Sequence, residues 1–438
     1  MSAPLGMLQA LRAFRAGTLD RKAYVQACAT RAEALEGWLH AFTYRPAAAA
    51  LPVADSGPLA GIPVAVKDIF ATADMPTTNG SPVYADHLPD ADAAVVARIR
   101  NLGGTVLGKT VTTEFAWRHP GPTVNPWNPA HTPGGSSSGS AAAVAAGIAP
   151  LALGSQTIGS VIRPAAYCGV VGYKPSFGAV PRDGVHPLAG SLDHVGFFTR
   201  HVEDAAYALS LLAGSHGGTV DTLLPRIPVD IDGGIAPLAA PRLGIVRPPY
   251  WSRVDAEQNA AFEAALATLR KAGARVEPLE LPGTYWHGTQ GAETLLAAEA
   301  AVIFGDLVAR FPDRTSTPLK DLVAAGTGIS APDYIAACRL QARLRHDIAG
   351  HMAGFDAIVT APATGPAPEG LGYTGDAVCC SLWTFLGVPA ITLPVAQAAN
   401  GLPLGLQLLA GYRQDAHLLR TAAWAEAQLT APALMLSA

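Results

Sequence analysis

Short apolar segments of β-type composition alternate with longer segments of helical spacing along most of this chain. The helical segments lie near positions 5–16, 20–39, 92–102, 140–146 and 256–272, with two long ones before 352, and the β-type segments are IPVAVKD (62–68), TVLGKT (105–110), LGIVR (243–247), RVEPLEL (275–281), DAIVTAP (356–362) and PAITLPV (389–395). Strands that are apolar throughout are buried on both faces, and the helices between them supply the cover. The sequence therefore predicts the α/β class: a single domain with a mixed central β-sheet covered by helices on both faces.

Composition narrows the class of protein further. Half of the 438 residues are hydrophobic and 15% are charged, which is typical of a globular enzyme and not of a disordered or fibrous chain. The net charge of −4 gives no reason to expect binding to nucleic acid or to an anionic membrane surface. The five cysteines show no paired framework, and neither a signal peptide nor a membrane span is apparent. We therefore expect a cytoplasmic protein.

One short motif suggests a nucleotide site. GGTVLGKT, residues 103–110, matches the phosphate-loop pattern G-x-x-x-x-G-K-[ST] at every position. A phosphate loop follows a strand and opens a helix, whereas here the helical segment AVVARIRNL comes first and the β-type residues follow. We interpret the segment as a helix, a turn at Gly103-Gly104 and a strand, and we assign no catalytic role to Lys109.

A second motif suggests an esterase. GSSSG, residues 135–139, matches the nucleophile elbow G-x-S-x-G with Ser137 as the nucleophile. That elbow needs a strand immediately before it, but the preceding segment is NPWNPAHTPG, whose prolines exclude a central strand. His186 and His194 are candidate bases, and nothing in the sequence singles out either one. The elbow is therefore not predicted.

Three separated segments contain polar residues that the local fold does not require. Lys67 ends the apolar segment IPVAVKD, where a lysine is costly unless it is paired or neutral. Residues 134–147, GGSSSGSAAAVAAG, form a polar loop that runs into an alanine-rich helix. Residues 153–169, LGSQTIGSVIRPAAYCG, contain a tight turn at 157–160 before a further β-type run. Each has an ordinary interpretation as well: a lysine that reaches solvent, a serine that caps a helix and a serine in a turn.

Together these segments resemble the amidase signature family. The resemblance is carried by GIPVAVKDI, VLGKTVTTEFA, GGSSSGSAAAVAAG, GSQTIGSVIRPAAYCGVVGYKPSFG, SLDHVGFFTR, LWTFLGVPAITLPV and GLPLGLQLLA. Within the family, GGSSSGS, the QT-GSVIRPAAYCG segment and KPSF are especially similar to malonamidase. The resemblance implies one amidase-like domain over 1–438, with a helical segment at 1–45, a signature core at 56–215, a more divergent helical region at 215–350 and the C-terminal part of the core at 351–438.

The resemblance implies a Ser–cisSer–Lys triad. Ser160 matches the nucleophile, Ser136 matches the bridging serine that follows a cis peptide bond, and Lys67 matches the base. The expected oxyanion hole consists of the backbone N–H groups of Thr157, Ile158, Gly159 and Ser160. Ser138 and Ser155 are expected to support the triad by hydrogen bonding.

These residue types suit the chemistry of acyl transfer. A serine hydroxyl is a weak nucleophile until a base takes its proton. A lysine can be that base only when it is neutral, and the apolar neighbours in IPVAVKDIF favour the neutral amine. Ser136 would relay the proton from Ser160 to Lys67.

Three positions bear on the substrate. The family's turn usually reads G-G-S, and Ile158 stands here in place of the first glycine, so that either its backbone is ordinary or the turn is strained. Arg163 matches an arginine that is implied to grip the substrate carboxylate in malonamidase, and an internal ion pair is the alternative. Trp383 is a candidate for the pocket wall, although aromatic residues in an apolar run pack in the core by default.

The predicted function is hydrolysis of the C–N bond of a small amide through an acyl-enzyme, with no cofactor and no metal. Carbamate (urethane) hydrolysis by the same residues is one alternative, and the A-type subunit of a tRNA-dependent amidotransferase is another. The intact set of three residues disfavours a non-catalytic scaffold. The expected partner is a small-molecule amide or carbamate, with no nucleic acid and no membrane, and a homodimer is allowed.

Overall fold

The structure, a computed structural model, describes residues 4–214, 224 and 226–431. Its strands are β1 (Phe42–Tyr44), β2 (Pro63–Lys67), β3 (Thr105–Thr110), β4 (Leu151–Gln156), β5 (Val171–Lys174), β6 (His194–Thr199), β7 (Val229–Asp230), β8 (Gly234–Ile235), β9 (Arg242–Ile245), β10 (Arg275–Pro278), β11 (Ala357–Thr360), β12 (Ala390–Gln397) and β13 (Pro403–Leu409). Its helices are α1 (Met7–Arg15), α2 (Arg21–Leu39), α3 (Ala94–Asn101), α4 (Ser138–Ala145), α5 (Ile162–Cys168), α6 (Val202–Leu212), α7 (Ala256–Lys271), α8 (His287–Arg310), α9 (Thr317–Thr327), α10 (Ala331–His351), α11 (Val378–Phe385) and α12 (Asp415–Gln428).

Eleven of the described strands form one sheet, in the order β1-β3-β2-β4-β6-β5-β12-β13-β11-β9-β10. β2 runs parallel to β3 and β4, and β9 runs parallel to β10 and β11, whereas the other neighbours in this sheet are antiparallel. The predicted mixed sheet is therefore confirmed. Parallel strands present their carboxyl ends at the same edge, so the last residues of β2, β3 and β4 come together: Lys67, Thr110 and Gln156.

Around β2, the sheet separates two clusters of apolar side chains. Along β2, Val64 and Val66 belong to one core and Ala65 to the other, because successive side chains of a strand point to opposite faces. Helices α2 and α4 pack in the core of Ala65, and α1, α6, α8 and α12 pack in the other core. Helices therefore cover both faces, as predicted. Lys67 shares the face of Ala65, whereas Lys109, which is in register with Val66, shares the opposite face.

Local sequence explains several helix boundaries. Asp20 caps α2 by accepting a hydrogen bond from the Ala23 N–H, and α2 ends at Leu39 as predicted. The turn that ends α3 includes Gly103, whose φ of +89° suits glycine. The prediction of a β-type run after the turn at 157–160 was wrong, because that segment is helix α5. Pro164 lies in the first turn of α5, where its missing N–H breaks no helical hydrogen bond.

The region expected to be divergent and helical also extends the sheet. It contains α7 to α10 together with β9 and β10, which form one edge of the eleven-stranded sheet. The predicted boundary at 215 lies outside the described residues. Among the described residues, no helix is both long and apolar enough to cross a membrane.

Candidate active site

A cluster of serine hydroxyls surrounds a buried lysine at the carboxyl edge of β2 and β4. Lys67 ends β2, Ser155 lies in β4, and Ser136 and Ser137 lie in the loop before α4. The Lys67 Nζ atom is 2.7 Å from Ser136 Oγ, 2.8 Å from Ser155 Oγ and 3.0 Å from Ser137 Oγ. Hydroxyl oxygens thus replace the water around this amine, and no carboxylate of the described residues forms an ion pair with it.

Burial determines the ionisation of this lysine. Lys67 is fully buried, and the loss of solvent lowers the pKa of its amine well below the ordinary value, while the charge of Asp193 acts in the opposite direction. Removal from water disfavours the ammonium form. The amine therefore loses its proton more readily than an exposed lysine does, which is the property that a general base needs.

Ser160 and Ser136 meet through a backbone contact. The Ser136 N–H donates to Ser160 Oγ at 3.2 Å, while Ser136 Oγ contacts Lys67. No peptide bond among the described residues is cis, so the bond before Ser136 is trans, the form of lower energy for a non-prolyl bond, and the expected cis bond is not found. The chain bends at Gly135 and Ser136, and the φ angles of Gly134 and Gly135, +79° and +59°, suit glycine.

The turn at 157–160 presents a row of backbone donors. Within the described residues, the N–H groups of these four positions donate no hydrogen bond, although the turn lies in the interior between β4 and α5. Such unused donors suit an oxygen that gains negative charge during a reaction. Ile158 does not have a positive φ, so its backbone is ordinary, and its half-buried side chain faces the cleft described below. A Cβ atom on Gly159 would lie 3.1 Å from Ala377 Cβ and 3.2 Å from Arg163 Nη1, so glycine allows this close approach without a shift of its neighbours.

Gln156, which the sequence did not single out, holds this turn closed. Its Oε1 atom accepts from the N–H groups of Val161 and Ile162 at 2.9 and 3.0 Å, and these are the first donors of α5. Its Nε2 atom donates to Thr384 Oγ1 at 2.8 Å. The only sequence signal was a polar side chain in an otherwise buried strand, and its partners lie up to 228 residues away.

Asp193 anchors the same turn from the opposite side. Its Oδ1 atom accepts from Thr157 Oγ1 at 2.6 Å, and its Oδ2 atom accepts from the N–H groups of Leu188 and Ala189. Burial raises the pKa of this carboxyl, and these hydrogen bonds oppose the increase. Asp193 therefore fixes the first residue of the turn and acts on the charge of Lys67 at a distance.

Some of the other predicted residues lie at Lys67 or at the cleft, and others do not. Ser155 contacts Lys67 directly, but Ser138 donates to the carbonyl of Val111 at 3.4 Å and does not contact the lysine. Ser137, rejected as an esterase nucleophile, takes the position next to Lys67. Trp383 is 1% exposed and is not a wall residue of the cleft, although Val378 and Ser381 of the same helix are.

A cleft of about 500 Å³ opens over Ser136, Ile158 and Ser160. Its walls carry three guanidinium groups and two carboxylates, an excess of one positive charge in a chain whose net charge is −4: Arg118, Arg163, Arg253, Glu293 and Asp376. Arg253 and Asp376 form an ion pair at the cleft wall. The charge of the walls therefore favours an anionic ligand over a cationic one.

Arg163 is the innermost of these charges. It is 4% exposed, its Nε atom is buried without a partner, and no carboxylate of the described residues forms an ion pair with it. A buried guanidinium without a counterion is costly, so a ligand anion would relieve the cost. The alternative of an internal ion pair finds no carboxylate partner among the described residues.

Lys109 lies apart from the serine cluster, on the opposite face of the sheet. Its Nζ atom is 3.3 Å from Asp68 Oδ1, 2.7 Å from the Phe70 carbonyl and 2.5 Å from Thr77 Oγ1, and both charged side chains are fully buried. Burial lowers the pKa of this amine to about 8. The lysine of the phosphate-loop pattern thus holds the loop after β2, and its environment is not a phosphate cradle.

Known proteins are similar to this chain in sequence and in fold. The family model named Amidase matches residues 22–419. The A-type subunit of the glutamyl-tRNA(Gln) amidotransferase from Symbiobacterium thermophilum is 36% identical over 412 residues, which cover 85% of this chain and 84% of that protein.

Solved structures agree with this match. A structure described as an amidase superposes with a TM-score of 0.84 at 31% identity, over 97% of this chain and 100% of that one. The peptide amidase from Stenotrophomonas maltophilia gives a TM-score of 0.82 at 29% identity, over 97% and 96% of the two chains. The chain therefore belongs to the amidase signature family, and it is an amidohydrolase of C–N amide bonds.

Proposed function

We propose that this enzyme hydrolyses small amides that carry a carboxylate, through an acyl-enzyme formed on Ser160. The observation that carries the proposal is the fully buried Lys67 amine, held by three hydroxyls beside a turn with four unused N–H donors. This grouping supports a nucleophile, a base and an oxyanion site that act together beside the cleft.

In the first half of the reaction, Ser160 Oγ forms a bond to the substrate carbonyl carbon. Its proton passes through Ser136 Oγ to the neutral Lys67 amine, which requires the Ser160 hydroxyl to turn from the Ser136 N–H toward the Ser136 hydroxyl. The carbonyl oxygen becomes an oxyanion against the N–H groups at 157–160, where one donor is typically worth about 10²–10³ in rate. Lys67 then returns the proton to the leaving nitrogen as the C–N bond breaks.

In the second half, water replaces the amine. Its oxygen bonds to the acyl carbon, its proton follows the same route to Lys67, and the Ser160 ester bond breaks as the proton returns to Ser160. The products are a carboxylic acid and ammonia or an amine, so the enzyme is unchanged.

Arg163 supports the choice of substrate. Its Nη1 atom lies beside Gly159 of the turn, so a carboxylate bound by this arginine would be only a few bonds from the scissile carbonyl. A planar guanidinium binds a carboxylate through two parallel hydrogen bonds. This arrangement favours a short acid-amide of the kind implied by the similarity to malonamidase, and Ile158 restricts the space beside it.

Two further activities use the same residues. A carbamate presents the same carbonyl and leaving nitrogen, so urethane hydrolysis would follow the same steps. Several relatives are named as the A-type subunit of glutamyl-tRNA(Gln) amidotransferase. This similarity makes amide release from glutamine, within an assembly of several chains, the second candidate.

A hydrolysis panel separates these activities. We expect the isolated chain to hydrolyse short carboxylated amides faster than neutral amides, carbamates or glutamine. Arg163→Met should lose activity mainly toward the carboxylated substrates. Arg118→Met, at an exposed position of the same cleft, is the matched control. Labelling with a fluorophosphonate should modify the wild type and fail on Ser160→Ala. Equal labelling of both proteins would refute the nucleophile, and an unchanged substrate preference in Arg163→Met would refute the substrate class.

A further inference from the structure

A second cavity of about 430 Å³ lies behind the catalytic turn, and we call it the rear cavity. Its wall includes Ser155, Thr157, Arg182, Asp193, His194 and Arg345. Ala116, Thr157 and Leu188 are wall residues of both this cavity and the cleft over Ser160. Cavities of about 300–1,000 Å³ are the usual size for small-molecule sites, so the rear cavity has room for a ligand of its own.

His194, a wall residue of this cavity, has an unused acceptor. The side chain is 3% exposed, and its Nε2 atom is buried with no partner among the described residues. Its Nδ1 atom lies 2.5 Å from the Leu192 carbonyl oxygen, which can only accept, so Nδ1 carries the proton. Burial lowers the pKa of His194 well below its ordinary value, so the ring is neutral and Nε2 offers a lone pair. A buried polar atom without a partner calls for an explanation, and a ligand with an O–H or N–H group supplies one.

Two arginines supply positive charge to the same wall. Arg345 and Arg182 lie 5.1 and 4.8 Å from the ring centroid of Phe177, and His194 contacts the same ring edge-on at 5.3 Å. The Nε atom of Arg345 donates to the Leu386 carbonyl at 2.8 Å, whereas its Nη2 atom is buried without a partner among the described residues. Among the described residues, nothing accepts from Arg345 Nη2 and nothing donates to His194 Nε2.

The carboxylate of Asp193, in the wall of the rear cavity, pairs with neither Arg345 Nη2 nor His194 Nε2. Both of its oxygens are engaged by Thr157, Leu188 and Ala189, so it is committed to the catalytic turn. Asp183, at the exposed rim, is the other acidic residue of this wall. Within the described part of the chain, the inner wall groups without a hydrogen-bond partner are thus a donor of Arg345 and an acceptor of His194.

We infer that the rear cavity binds a small carboxylic acid that also carries a hydroxyl or amide N–H group. Its carboxylate accepts from Arg345, and its O–H or N–H group donates to His194 Nε2. The occupant adjoins Thr157 of the oxyanion turn and Ser155, which contacts Lys67. Binding there therefore acts on the residues that position the reacting groups, without occupying the substrate cleft.

Calorimetric titration with lactate and with propionate tests this site, because the two acids differ by one hydroxyl. A hydrogen bond between that hydroxyl and His194 should make lactate bind about tenfold more tightly than propionate. Arg345→Met should weaken the binding of both acids by about tenfold or more. His194→Phe should reduce the affinity for lactate to that for propionate. Arg270→Met, on the exposed side of α7, is the matched control and should bind both acids as the wild type does.

Variants of the two cavities identify where the acid binds. Val185→Trp fills the rear cavity from its half-buried rim and keeps Arg345 and His194, so it should abolish binding even if Arg345→Met fails to fold. Arg163→Met changes only the substrate cleft and should retain binding. Loss of binding in Arg163→Met with full binding in Val185→Trp would overturn the inference, as would the absence of saturable lactate binding to the wild type or equal affinity for the two acids.

Discussion

Replacing Gln156 by methionine tests whether one buried amide holds the oxyanion turn. Gln156 is 1% exposed, and methionine has a similar shape, so the change removes hydrogen bonds and leaves no cavity. The Val161 and Ile162 N–H groups, 2.9 and 3.0 Å from Gln156 Oε1, would remain buried without a partner. Each such group costs about 1–3 kcal/mol, so we expect the free energy of unfolding to fall by roughly 2–6 kcal/mol.

The same change should impair the reactive site. Without Gln156 the start of α5 is free to shift, and the N–H groups at 157–160 move away from the oxyanion position. The loss of one aligned donor corresponds to a decrease of about 10²–10³ in rate. The rate of fluorophosphonate labelling measures this directly, because the reagent would need both the proposed nucleophile Ser160 and the proposed oxyanion hole, and it does not depend on the physiological substrate.

Gln258→Met is the matched control for this experiment. Gln258 is also 1% exposed, and its amide pairs with the backbone of Gly405, but it is a wall residue of neither the cleft nor the rear cavity. We expect it to lose a similar amount of stability in urea and to keep the labelling rate of the wild type. The proposed role of Gln156 in holding the turn would be wrong if Gln156→Met were labelled at the wild-type rate. It would also be wrong if the labelling rate decreased by the same factor in both variants.

Three further predictions concern the two buried lysines. Burial keeps the pKa of folded Lys67 below that of the unfolded chain, so the folded state binds fewer protons between these values, and stability should rise with pH across that window. Lys67→Met should therefore unfold at a higher temperature than the wild type at neutral pH while its labelling rate collapses, and a lower melting temperature would contradict this. For the same reason, wild-type labelling should decrease as the pH falls through the pKa of the lysine, as a pH–rate profile would show. Lys109→Met leaves Asp68 buried without its partner and should cost about 3–5 kcal/mol in urea unfolding, with part of the loss recovered by Lys109→Met/Asp68→Asn. A double variant no more stable than the single one would show that the ion pair is not the cause.

Sequence patterns determined the class of fold and the positions of the main elements. Apolar runs of β-type composition became β2, β3, β11 and β12, because burial on both faces leaves a strand little choice of side chain. The order of helix and strand also removed the phosphate-loop interpretation of GGTVLGKT. The family resemblance brought Lys67, Ser136 and Ser160 forward as one set, and the three lie close together in the fold.

Only the tertiary structure decided which neighbouring residues serve the site. Ser137 contacts Lys67 and Ser138 does not, because α4 begins at Ser138 and each step at a helix start rotates the side chain by roughly 100°. Gln156 and Asp193 act on the turn through hydrogen bonds that span 5 to 228 residues, and no local pattern marks such partners. The peptide bond before Ser136 and the ordinary backbone of Ile158 depend on how the loop closes against its surroundings. Sequence alone thus supplied the proposed reactive groups, whereas their orientation, burial and charge depend on contacts that form only when distant segments pack.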